Sequence, residues 1–202
     1  MNLTKHAHKL IDEHFATLKD GIFLAIDATC GNGGDSVFLA QRSEKLLCFD
    51  IQHNAIKATQ QLLSAQPLPC HVEYILNSHA HLLKEVQLRQ HPHDNKINSG
   101  VDVIMFNLGF LPKSQDLSIT TTRSSTLKAV KQGMTCLSER GVISILCYRG
   151  HQQGPEEFNA VKQFLDSVDA EQWQTSEYLS ANPTQTTPIL LFIHRKSFNH
   201  FN

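Results

Sequence analysis

The sequence predicts an α/β fold: a mostly parallel seven-stranded sheet covered by helices on both faces and closed by a C-terminal antiparallel hairpin. Three observations carry this. Short, continuously apolar runs alternate five times with segments of helical periodicity, the pattern of strands buried on both faces. A glycine-rich turn follows the first of these runs. The last two strand-like runs have no helix between them and must pair antiparallel.

The elements follow in order. Leu3, Ala7, Leu10, Ile11, His14 and Phe15 recur at helical spacing, so residues 3–18 read as an amphipathic helix stopped at Gly21. Ile22–Ile26 is a buried strand ending at Asp27. A helix near 34–43 leads to strand Leu46–Phe49, which ends at Asp50. A helix near 53–65 precedes strand 71–76, and a further helix spans about 79–90. His91–Gly100 is polar and loop-like. Val101–Phe106 is the next buried strand and ends at Asn107. A helix near 121–138, strand Val142–Cys147 and a helix over about 155–168 follow, the last opened by Pro155, whose missing N–H does no harm in a first turn. Trp173–Leu179 and Pro188–His194 form the terminal hairpin.

The 202 residues suffice for one domain with a full core, and no linker or repeat divides them. The expectation is a single domain over 1–202 with the helix of residues 1–20 packed on it. Eighteen basic residues face 19 acidic ones, for a net charge of −1, and 41% of residues are apolar; this excludes a disordered chain and a protein that grips nucleic acid with its whole surface. No apolar run approaches the ~20 residues of a bilayer span, and the N-terminus lacks the core of a signal peptide, so a cytoplasmic location with no membrane partner is expected. Five widely spaced cysteines without a C-x-x-C argue against a disulfide framework or structural zinc. His79-x-His81 and His91-Pro-His93 lack a carboxylate set, so no metal is expected. Cys70 precedes the third strand, far from any nucleophile's place at the fourth-strand edge.

Open parallel sheets bind ligands beyond the carboxyl ends of their strands. There the turn Asp27-Ala28-Thr29-Cys30-Gly31-Asn32-Gly33-Gly34-Asp35-Ser36 offers close backbone approach and a helix N-terminus, which suits a nucleotide. The dinucleotide fingerprint would place a third glycine at Ser36, and Asp27 suits a cationic ligand better than a pyrophosphate. S-adenosylmethionine (SAM), with its sulfonium and ammonium groups, fits. Asp50 is placed for ribose hydroxyls, which serves NAD equally well. Asn107-Leu108-Gly109-Phe110-Leu111-Pro112, at the end of the fourth strand, holds the position at which class I methyltransferases present a target nitrogen to the methyl donor. Phe110 could stack on a base there.

The segments DATCGNGGDSVFLA, FDIQ, NSHAHL, FNLGFLP, SITTTRSST, YRGHQQGPEE and NPTQTTPILL resemble the rRNA methylase (YtqB-like) family, which includes MnmM-type tRNA 5-aminomethyl-2-thiouridine methyltransferases. The resemblance runs from about Leu10 to Lys196. It implies a Rossmann-like class I methyltransferase that uses SAM, releases S-adenosylhomocysteine (SAH), and acts on the aminomethyl nitrogen of the wobble uridine of tRNA. An rRNA target, or a small-molecule acceptor, is the alternative.

By position, the resemblance implies a cofactor set of Asp27, Thr29, Gly31, Asn32, Gly33, Asp35, Ser36, Asp50, Ile51, Gln52, Ser78, His79 and Asn107. It departs from the family at Gly34, Ser36, Asn77, Arg149 and Asn182-Pro183. For the transfer itself, Asn107 is the candidate to hold the amine, with Tyr148 and His151 bordering the acceptor and His151 placed to take its proton. Leu108, Gly109, Phe110, Lys113, Arg123 and Arg149 are the substrate-side candidates. Residues 103–155 hold six basic and two acidic residues, a local excess suited to phosphates of the tRNA anticodon region. A homodimer stays open.

Overall fold

The computed structural model describes residues 2–16, 18, 20–89, 99–109 and 120–196. In chain order the elements are α1 (Leu3–Ala16), β1 (Ile22–Asp27), α2 (Gly34–Ala40), β2 (Ser43–Asp50), α3 (His53–Ser64), β3 (His71–Leu76), a 3-10 turn (His79–His81), α4 (Leu82–Gln87), β4 (Val101–Asn107), α5 (Arg123–Cys136), β5 (Leu137–Cys147), α6 (Gly154–Leu165), β6 (Trp173–Leu179) and β7 (Ile189–Arg195).

The seven strands form one sheet in the order β3-β2-β1-β4-β5-β7-β6. Every neighbouring pair is parallel except the two made by β7, which runs against both β5 and β6. Successive strands are added outward from β1 to β3, and the chain then returns to place β4 on the other side of β1. Ligands bind in open α/β sheets at such a reversal. In register, Asp27 stands opposite Met105, so Asp27 and Asn107 end adjacent strands at the same edge.

Alternate residues of each strand face opposite cores. Leu24 and Ile26 of β1 pack with Leu82 and Val86 of α4, Ala129 and Val130 of α5 and Val161 of α6. Ala25 faces the other way, toward Leu3, Ala7 and Ile11 of α1, Leu39 of α2 and Leu63 of α3, and Ile22, the first residue of the strand, belongs to that core as well. Thus α1, α2 and α3 cover one face, and α4, α5 and α6 the other.

Several predicted elements differ in extent; the helices expected near 34–43 and 155–168 end three residues early, at Ala40 and Leu165. The helix expected over 79–90 is broken: Ser78 Oγ accepts the Ala80 N–H at 3.2 Å and starts a single 3-10 turn, and α4 then runs only over Leu82–Gln87. Strand β2 begins at Ser43, ahead of its apolar run. β5 begins at Leu137, five residues before the apolar run at Val142: Leu137 pairs with Val101, and the register then shifts across the polar opening before Val142 pairs with Val103. Asp102 accepts Ser138 Oγ at 2.9 Å and Arg140 Nε at 3.1 Å. Gly141 lies so close to β4 that a Cβ there would stand 2.6 Å from the Val101 carbonyl.

Candidate active site

A cavity of about 650 Å³ opens at the carboxyl edge of the sheet, above the β1–β4 reversal. It falls within the ~300–1,000 Å³ typical of small-molecule sites. The turn between β1 and α2 builds one wall. It is anchored to two neighbouring strands, β4 and β2: Ala28 N–H donates to the Met105 carbonyl, Cys30 N–H to the Phe49 carbonyl, both at 2.8 Å, and Gly31 N–H to Asp50 Oδ2 at 3.1 Å. The turn needs glycine at Gly31 (φ 51°) and Gly33 (φ 85°). At Gly33 a Cβ would also stand 3.1 Å from the Thr59 Cα.

The structure brings most of the predicted cofactor set together. Thr29, Gly31, Asn32, Asp35, Asp50, Ile51, Gln52, Ser78 and His79 line the cavity, joined by Asn107, Leu108, Gly109 and Tyr148. Asp27, Gly33 and Ser36 lie behind the wall. Asp27 is 1% exposed, accepts Ser36 Oγ at 2.6 Å and the Thr29 N–H at 3.2 Å, and stiffens the turn from below. Burial, with the charge on Asp35 adding to it, pushes its carboxyl up to about 7. An acid so placed meets a cationic ligand through the turn and not by contact.

Asp50 uses Oδ1 on the Gln52 N–H at 2.8 Å and Oδ2 on Gly31. A carboxylate has about four acceptor directions, so lone pairs remain for a diol. Burial raises its pKa against the effect of these backbone donors. At the far end of the cavity His79 is 7% exposed, donates to the Ala28 carbonyl, and is held down to about 4 by burial; it is neutral at pH 7. Its Nε2 is buried and has no hydrogen-bond partner among the described residues. Asn77 lines the cavity with its amide already engaged: Oδ1 accepts the Ser78 N–H at 2.8 Å and Nδ2 donates to Glu85 at 3.1 Å. A polar end with an orphaned acceptor, a carboxylate midway and a backbone cradle together fit the adenosine half of SAM.

The acceptor side centres on Asn107. Its backbone N–H donates to Thr29 Oγ1 at 2.7 Å and its side-chain Nδ2 donates to Asp35 Oδ2 at 3.2 Å. A carboxylate accepts only, so the amide nitrogen faces Asp35 and Oδ1 is the atom left for a ligand. Leu108 is fully buried; Gly109, at φ 125°, donates its N–H to Thr121 Oγ1 at 2.9 Å. Thr121 in turn donates to Glu157, a carboxyl only 1% exposed and raised by that burial, which also accepts Thr126 Oγ1 at 2.5 Å. The Tyr148 phenol is pushed up by burial and by the nearby charge of Asp35.

Other substrate-side candidates stand apart. His151 sits behind Gly109; a Cβ on that glycine would be 3.8 Å from its Nε2. Arg123 pairs with Glu156 at 3.0 Å on the surface. Arg149 donates to the Thr187 and Thr184 carbonyls at 2.9–3.1 Å and so holds the β6–β7 loop, instead of facing the cavity. The basic excess of residues 103–155 is dispersed as well: Arg140 binds Asp102 and the carbonyls of Asp20 and Gly21 at the opposite end of the sheet, and Lys131 lies over Phe164. Phe110 and Lys113 lie outside the described residues. Among the described residues no cluster of His, Cys, Asp and Glu could hold a metal, and no helix is long and apolar enough to cross a membrane.

Sequence reasoning missed two contributions. Asn2, Thr4, Lys5 and His8 bring α1 to the cavity mouth, and Thr120, Thr121 and Ser125 line its far side. Thr4 and His8, four apart, mark a polar face of α1 that the apolar stripe overshadows.

A family model described as "Putative rRNA methylase" matches residues 46–194. A curated relative, the chloroplastic tRNA (mnm(5)s(2)U34)-methyltransferase of Arabidopsis thaliana, is 29% identical over 181 residues. That match covers 85% of this chain, and the chain spans 62% of the relative's length. A structure described in the same terms as the family, from Clostridium thermocellum, superposes with a TM-score of 0.81 at 30% identity, covering 97% of this chain and 98% of that one. A "putative methyltransferase" from Streptococcus mutans, in complex with SAH, gives a TM-score of 0.76 at 28% identity over 93% and 97% of the two chains.

Proposed function

The chain belongs to the rRNA methylase family of SAM-dependent methyltransferases, and on that premise we propose that it N-methylates RNA, its acceptor being the 5-aminomethyl group of wobble (2-thio)uridine in the anticodon region of tRNA. The observation that carries this reading is the placement of Asn107. It ends β4 at the reversal of strand order, and Asp35 holds its amide so that Oδ1 is presented to the cavity.

When bound, SAM supplies an electrophilic methyl group on a sulfonium. The residues present have distinct tasks toward it. Asp50 would accept from the ribose hydroxyls, Ser78 and His79 would hold the adenine, and the Gly31–Asn32 backbone would hold the cofactor's chain. Asn107 Oδ1 would accept an N–H of the incoming neutral amine and so orient its lone pair for transfer. His151 lies behind Gly109 and not on the cavity wall, so alignment in a site screened by Tyr148 and α1 is the main device. Orientation of this kind can contribute up to ~7–11 kcal/mol.

The relative's name supports a tRNA acceptor, as does the FNLGFLP segment. A small-molecule amine is the second reading; the pairing of Arg123 with Glu156, and of Arg149 with loop carbonyls, favours it by leaving fewer cations beside the cavity. One assay separates them. Purified protein, SAM and tRNA carrying unmethylated 5-aminomethyl uridine are incubated, and the digested nucleosides are weighed by mass spectrometry. A gain of one methyl on that nucleoside supports the tRNA reading. No gain on tRNA or rRNA, with SAM bound normally, overturns it.

A further inference from the structure

The helix that precedes the sheet reaches the Asp35 carboxylate of the methyl-transfer site through the side chain of His8. His8 Nε2 lies 2.7 Å from Asp35 Oδ1, and the other oxygen of the same carboxylate accepts Asn107 Nδ2 at 3.2 Å. Because Asp35 offers only acceptors, His8 Nε2 is the donor. The His8 ring is held in place by stacking on Phe38, with centroids 3.8 Å apart and planes 5° from parallel. Asp35 is 8% exposed and sits in the first turn of α2, so its backbone is fixed by the helix. A buried carboxylate with donors on both oxygens has one orientation; with only one donor it can rotate about its terminal bond.

We propose that His8 is a positioning residue for methyl transfer: by holding Asp35 it fixes the amide of Asn107, so that Oδ1, and never Nδ2, meets the acceptor nitrogen. This rests on the reading of Asn107 as the amine-facing residue. The consequence of losing His8 is specific. A rotated Asp35 lets the Asn107 amide flip, and a flipped amide presents an N–H donor to an amine that needs an acceptor. SAM contacts at Asp50 and His79 are untouched, so the effect falls on turnover and not on cofactor affinity.

Two substitutions separate this role from simple packing. His8→Phe keeps a ring on Phe38 and removes the N–H. His8→Gln gives up the stack and keeps an N–H donor at a similar reach. The first readout is kcat for methylation of the acceptor together with KM for SAM. The second needs no acceptor: it is the ratio of affinities for SAH and for sinefungin, the SAM analogue with an amine-bearing carbon in place of the methylsulfonium, by calorimetry. The amine of sinefungin occupies the transfer site and tests which atom of Asn107 it finds.

His8→Phe lowers kcat about tenfold or more at nearly constant KM for SAM, and lowers the preference for sinefungin over SAH by about tenfold. His8→Gln recovers most of both. If His8→Phe keeps normal turnover and sinefungin preference while His8→Gln lowers the melting temperature, His8 is a packing residue and the proposal is wrong. If the wild-type protein methylates no RNA, the assignment of substrate fails alone, because the sinefungin ratio still decides the role of His8.

Discussion

The backbone N–H of Asn107 donates to the side-chain oxygen of Thr29 at 2.7 Å, which ties the end of β4 to the turn that follows β1. The residues are 78 apart in sequence and belong to the donor side and the acceptor side of the cavity. Through this bond the distance between the two halves of the reaction is set by a side chain. Thr29→Val keeps the shape and leaves the Asn107 N–H unsatisfied. The expected outcome is a loss of about 1–3 kcal/mol of stability in denaturant unfolding, with a clear fall in kcat, and recovery of both in Thr29→Ser.

Asn107→Ala removes the acceptor that aligns the amine. The interaction matters chiefly during transfer, so kcat falls by roughly a hundredfold or more while SAM affinity changes little. Single-turnover methylation beside SAM calorimetry checks this. Affinity lost in proportion to turnover would make Asn107 a cofactor ligand instead.

Asp50→Ala acts on the other side. It takes an acceptor from the ribose and frees the N–H groups of Gly31 and Gln52. SAM binding weakens by about 1–3 kcal/mol in calorimetry. Turnover at saturating SAM stays far closer to normal than in Asn107→Ala.

Asp27 should govern how stability depends on pH. Its carboxyl is raised from 3.8 to about 7, so the folded state holds a proton that the unfolded state releases. The stability this proton contributes is present below pH 4 and is lost as pH rises from about 4 to 7. Asp27→Asn keeps an acceptor for Ser36 and Thr29 and cannot ionise. Its melting temperature relative to the parent protein is therefore expected to climb across that window and level off above pH 7. A gain of 1 kcal/mol corresponds to about 2–4 °C in a chain of this size. A difference that stays flat with pH would show that Asp27 ionises normally.

The edges of β1 and β4 were legible because buried strands read as unbroken apolar runs ended by a polar residue, as at Asp27 and Asn107, and the hairpin because no helix separates its two strands. The opening of β5 was not, since Ser138 and Arg140 are polar in sequence and are held by side-chain bonds to Asp102, where the β4–β5 register shifts. The same limit applies in the site. Asp50 follows from its position at a strand end, while Ser78 and His79 came from the family resemblance. Arg149 and Arg123 looked like phosphate ligands because a charge reads alike whether it meets a substrate, a loop carbonyl or a glutamate. His8 gave no signal, for its partner Asp35 lies 27 residues away and their meeting depends on how α1 docks.

That docking has a consequence for synthesis. Helix α1 rests on β5 and β7, where Leu3, Ala7 and Ile11 share a core with Val142, Leu146, Leu190 and Phe192. Helix α1 is made before any strand of the sheet, and its seat is completed by β7, the last of the seven strands in chain order. At ~5–20 residues per second, its apolar stripe waits about ten to forty seconds for cover. A nascent chain stalled before β7 would expose that stripe and leave His8 short of Asp35, so translation itself withholds a finished transfer site until the sheet has its final strand.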